Sequence, residues 1–147
     1  MLRGQPSLGE SKYLKKDWFT YTTSITATLA PGVSVPTTFN IDGDSDFFCT
    51  KLNIHGTVGN DGTVVDSEQL PEVNLIITDT TSGRQLMNAQ TPASNIAGTA
   101  RLPFILPIER FFSAKSTIKV DWFNASDNLS YTTLLLSFIG IKAFIAG

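Results

Sequence analysis

A single cysteine and a single histidine stand among 147 residues, and each scarcity closes off a class of chemistry. Cys49 has no second thiol for an internal disulfide, and with only His55 beside it there is no four-ligand zinc site. Charge is scarce too. Only 16% of residues are charged, the net charge is −2 and no strongly basic block is present, which argues against dedicated nucleic-acid binding. Long apolar runs are missing: the richest, 134–146, contains Lys142 and is shorter than the about 20 residues that a membrane-spanning helix requires. The start, Met1-Leu2-Arg3-Gly4-Gln5-Pro6, lacks an apolar leader core, so the expectation is synthesis in a cytoplasm and no membrane partner. Disorder is excluded by an apolar content of 41%, and a chain of this length suits one self-sufficient core.

What is present is alternation with period two. Tyr21, Thr23, Ile25, Ala27 and Leu29 alternate with serine and threonine, as a half-buried strand requires. After the turn at Pro31-Gly32, Val33, Val35, Thr37, Phe39 and Ile41 repeat the pattern, and Pro36 on the opposite phase predicts a strand near a sheet edge. Phe48, Thr50, Leu52 and Ile54 predict one face of a third strand, and 56–71 a long surface excursion. Residues 73–78 and 84–88 read as a hairpin joined by 79–83. Residues 91–100 read as a loop, and 104–112 as a bent or edge segment because of Pro107. Ile118, Val120 and Trp122 define another strand, and 131–141, apolar on both phases, a central one. Asn124-Ala-Ser and Asn128-Leu-Ser match the glycosylation pattern but read as turn chemistry.

About eight strands without a helical period predict an all-β, single-domain antiparallel sandwich of jelly-roll type over 17–147. An immunoglobulin-like sandwich is the alternative, although its Cys–Trp–Cys spacing is absent. Residues 1–16 differ: Arg3, Lys12, Lys15 and Lys16 face Glu10 alone, and Gly4, Pro6 and Gly9 oppose regular structure. They predict an extended basic arm that docks elsewhere through Arg3, Lys12, Tyr13, Leu14, Lys15, Lys16 and Trp18, with a frayed terminus as the plain alternative.

Chemistry is hard to assemble. Cys49 and His55 share a predicted strand face but lie about 20 Å apart along it. Asp42, Asp44 and Asp46 raise the question of a hard cation, yet the sixth and twelfth positions of an EF-hand loop would be Phe47 and Asn53. A solvated turn is the preferred reading. No phosphate loop or catalytic pair of carboxylates emerges, so the expectation is no enzyme, no cofactor and no metal.

The segments Phe39-Asn-Ile-Asp-Gly-Asp-Ser-Asp-Phe-Phe48, the 73–86 hairpin with Ser82-Gly83-Arg84, Leu106-Pro-Ile-Glu-Arg-Phe-Phe112 and the final strand ending Ser137-Phe-Ile-Gly-Ile-Lys142 resemble, in order and character, the jelly-roll cement or decoration proteins of tailed-bacteriophage heads. That resemblance implies a homotrimer, or a similar oligomer, seated on the major capsid protein at the outer surface of an icosahedral virion and made in the host cytoplasm. It implies no catalytic residues. A receptor- or carbohydrate-binding module of a tail or head fibre is the alternative, because the same fold serves both roles.

Overall fold

The computed structural model describes residues 13–58, 71–99 and 101–145. These form strands β1 (Tyr13–Ser24), β2 (Ser34–Asn40), β3 (Ser45–Val58), β4 (Val73–Asp79), β5 (Arg84–Gln85), β6 (Thr91–Pro92), β7 (Phe104–Phe112), β8 (Thr117–Asn124) and β9 (Tyr131–Ile145). A one-turn helix α1 (Ala93–Ile96) lies in the stretch expected to be a loop. No helix among the described residues is long and apolar enough to cross a membrane.

Two antiparallel sheets face each other, one ordered β1-β9-β3-β7 and the other β2-β8-β4-β5, with β6 attached to β4. Chain-adjacent strands β1 and β2, β3 and β4, and β7 and β8 thus lie in different sheets, which is the jelly-roll interleaving. The core between the sheets is aromatic and branched: Phe47, Leu75, Ile77, Ile118, Val120, Trp122, Leu134, Leu136 and Phe138 are buried. Each such side chain contributes about 1.5–3 kcal/mol through removal from water. Thr23 and Thr37, on the dry phase of their strands, serve as a polar tie between sheets. Thr23 Oγ1 donates to Thr37 Oγ1 at 2.8 Å, and Trp122 Nε1 donates to the same oxygen at 2.8 Å.

The expected positions of β2 and β7 at sheet edges, and of β9 in the middle of its sheet, agree with the strand order. Asn124 acts as a turn residue: its amide donates to the carbonyls of Leu29 and Leu129, and its Oδ1 accepts from Ser126. Asp79 Oδ1 accepts the backbone N–H groups of Thr81 and Ser82, closing the β4–β5 connection, and Gly83 supplies the positive φ of 73°.

Four expectations need correction. The arm does not run to residue 16, because Tyr13 to Lys16 already belong to β1 and pair with β9. The first strand ends at Ser24, not Leu29, which makes only an isolated bridge to Tyr131. Phe48 and Thr50 do not share a face with Leu52 and Ile54. The register shifts between Cys49 and Lys51 against both neighbours, so Thr50 is an extra residue that inverts the phase. Phe47 and Cys49 therefore enter the core, whereas Phe48 turns to the outer side. Finally, residues 56–58 continue β3 rather than start the excursion, whose remainder to residue 70 lies outside the described residues.

Candidate interaction surface

The two sides of the β1-β9-β3-β7 sheet differ in kind. Its inner side is core, and its outer side carries a second, smaller apolar cluster of Tyr13, Phe48 and Ala143 against Phe111 and Ile145. Cross-strand pairing puts Trp18 beside Ile141, and Lys51 beside Ile139 and Ile105, on this outer side. Trp18 is 76% exposed and Ile105 is 65% exposed, while Ile139 and Ile141 are half-buried between them. The two-sided apolar pattern of β9 thus has a partial explanation: one side fills the core, and the other floors an open sheet face.

The residues expected to dock separate into three groups. Arg3 and Lys12 lie outside the described residues. Tyr13 is buried, with its hydroxyl donating to Asp46 Oδ2 at 2.9 Å, so it belongs to the fold. Leu14, Lys15, Lys16 and Trp18 are surface residues of β1, although Trp18 alone sits on the half-buried isoleucines. Lys15 Nζ pairs with Asp17 Oδ2 at 3.2 Å, an exposed contact that stabilises by well under about 1 kcal/mol.

The acidic turn also has partners within the chain. Asp42 Oδ2 accepts from Lys142 Nζ at 2.6 Å, Asp44 Oδ1 accepts from Ser45 Oγ, and Asp46 Oδ1 accepts the backbone N–H of Ala114. Among the described residues no three His, Cys, Asp or Glu side chains gather as a metal site. Burial opposes the charge on Lys142, but the bond to Asp42 and the nearby Tyr21, Asp42 and Asp44 prevail and raise its pKa. Its ammonium also lies 4.2 Å from the Phe19 ring centroid. Cys49 faces the core and burial pushes its thiol up to about 12, so it is not a nucleophile at neutral pH. His55 pairs with Leu135 on the outer side, separated from Cys49 by the phase inversion at Thr50.

The β7 rim lay outside the residues that sequence reasoning selected for docking. Leu102, Ile105 and Ile108 are all exposed there, and the signal available was the excess of apolar residues over 102–108. Between Ile105 and Arg110 the strand leaves the ladder, because Lys51 pairs with Ile105 and Cys49 with Arg110. Beside this bulge a cleft of about 180 Å³ opens between the sheets.

No family model matches the chain, and no curated protein matches it. Among solved structures, the infectious bursal disease virus VP2 subviral particle aligns with 97% of this chain and 42% of that one, at 12% identity and a TM-score of 0.34. The structure of the infectious bursal disease virus Gx strain aligns with 92% of this chain and 38% of that one, at 12% identity and a TM-score of 0.33. The chain therefore spans less than half the length of either, and at these TM-scores the likeness assigns neither family nor activity.

Proposed function

We propose that the chain is a structural protein of a virion, one that sits on an icosahedral bacteriophage capsid and stabilises it by bridging subunits of the major capsid protein. The observation that supports this reading is the exposure of large apolar side chains on the outer side of the β1-β9-β3-β7 sheet, Trp18, paired with Ile141, toward one edge and Ile105 at the other. A rigid jelly roll with exposed apolar side chains on one sheet face is suited to cementing, because a large aromatic side chain desolvated in a contact commonly dominates interface energy. The sequence resemblance to phage-head decoration proteins points the same way. In this reading the protein is a homotrimer at the outer surface of the virion, made in the host cytoplasm, and it has no catalytic role.

The test is co-sedimentation with phage shells that lack the protein. Wild type should saturate the shells, and Trp18→Ser, a change at an exposed position that leaves the core intact, should weaken attachment about ten-fold. Failure to attach to any such shell, combined with attachment to host cells or their glycans, would favour the fibre-module alternative. Light scattering on the free protein should return three copies; a 16.0 kDa species would remove the trimer from the proposal.

A further inference from the structure

The cleft behind β7 has an unusual mixture of walls. It is lined by Leu52 and Ile77, buried residues from facing sheets, together with Met87, Leu106, the exposed Ile108 and Arg110. It adjoins the bulged part of β7, whose Leu106, Pro107 and Ile108 line it. Ile108 is 82% exposed even though it lines an inter-sheet space. Arg110 pairs with Cys49, which faces the core, so its side chain emerges on the inner side of the sheet. Among the described residues, no carboxylate lies within ion-pair distance of Arg110, and its guanidinium makes no hydrogen bond.

We propose that this cleft is a binding site for a small amphipathic carboxylate, whose apolar body enters between the sheets while its carboxylate is held by Arg110. Size sets the class of body. An apolar cavity of about 150 Å³ accepts benzene, so 180 Å³ suits a phenyl ring or a short alkyl chain. Charge sets the head group: a guanidinium forks onto a carboxylate through two parallel hydrogen bonds, and among the described residues it has no competing partner. A peptide strand is the less suitable occupant, because Pro107 and the bulge interrupt the edge of β7 that such a strand would pair with.

The experiment compares 3-phenylpropanoate with its neutral counterpart 3-phenylpropan-1-ol, by titration followed in amide NMR and by calorimetry. The carboxylate should saturate with a Kd of about 1 mM or lower, moving signals of Leu52, Ile77, Met87 and Ile108, and the alcohol should bind about ten-fold more weakly. Arg110→Met, which keeps the apolar stem, should abolish that difference, and Ile108→Asp, at an exposed position, should eliminate binding of the carboxylate. Cooperative unfolding curves are to be recorded for both variants, so that loss of binding is read only from folded protein. Equal affinity for acid and alcohol in the wild type, no saturation by 10 mM (about ten times the expected Kd), or an unchanged preference in Arg110→Met would overturn the proposal. So would sedimentation showing a self-associated species that Ile108→Asp dissociates, because a second copy would then occupy the cleft.

Discussion

The hydroxyl of Tyr13 reaches Asp46 Oδ2 at 2.9 Å although β9 lies between their two strands. The intervening residue opposite Asp46 is Ala143, fully buried and small enough to let the tyrosine pass over it. The Tyr13 ring also meets Phe48 edge-on at 5.8 Å. One side chain thereby clamps three strands at the point where the described chain begins.

Tyr13→Phe should therefore cost about 1–2 kcal/mol in urea unfolding, since it removes a hydrogen bond to a buried carboxylate while preserving the ring. Were Tyr13 an arm residue, as its neighbours in sequence imply, the variant would be neutral. Deleting residues 1–16, which removes Tyr13, should lower the unfolding midpoint. Circular dichroism with urea measures both.

The pairing of Lys142 with Asp42 predicts an asymmetry. Asp42→Ala strands a nearly buried ammonium and should cost about 1–3 kcal/mol, whereas Lys142→Met leaves a carboxylate that is half in water and should cost less. In a Lys142→Met background, Asp42→Ala should be almost silent. A double-mutant cycle reads the coupling directly.

Cys49 gives a pH dependence with a definite sign. Burial raises its thiol from 9.0 to about 12, so between these values the unfolded chain has lost a proton that the folded chain keeps. Stability is complete below pH 9.0 and falls as pH rises, by about 1.4 kcal/mol per unit. Tyr21 and Tyr131, also raised by burial, and Lys142 act in the same direction at still higher pH. Cys49→Val should flatten the slope between pH 9 and 10 relative to wild type, as followed by equilibrium unfolding; parallel curves would refute the assignment.

Gly140 lies opposite Cys49 at the bulge, where an added Cβ would stand 2.0 Å from the carbonyl oxygen of Phe48. Backbone cannot retreat as a flexible side chain can. Gly140→Ala should cost about 3 kcal/mol and reduce soluble yield. In contrast, Leu135 is half-exposed on the outer side, so an aspartate is better tolerated there than at the buried Leu136.

Much of the architecture was legible in the sequence, because alternation is a local property. Thr117–Asn124 announces itself by Ile118, Val120 and Trp122, and Pro36 and Pro107 mark strands that cannot donate a full ladder. The sandwich class follows from the number of strands and their connections, together with the absence of a helical period, whereas the jelly-roll order is read from the pairing. What the chain could not disclose locally is phase and partner. In sequence Thr50 continues an even-numbered apolar face, and only pairing with β7 and β9 reveals it as the extra residue of a bulge that sends Phe47 and Cys49 inward. Tyr13 carries the same side chain whether it frays or clamps, and only the distant Asp46 decides that it clamps. Arg110 looks like any surface arginine; its inward position follows from its pairing with Cys49 across a bulge that only the β3–β7 register reveals. The residues themselves determined which segments become strands, since side-chain pattern acts over two to eight positions. Register and the shape of the space between sheets were decided by tertiary contacts, because they depend on residues tens of positions apart.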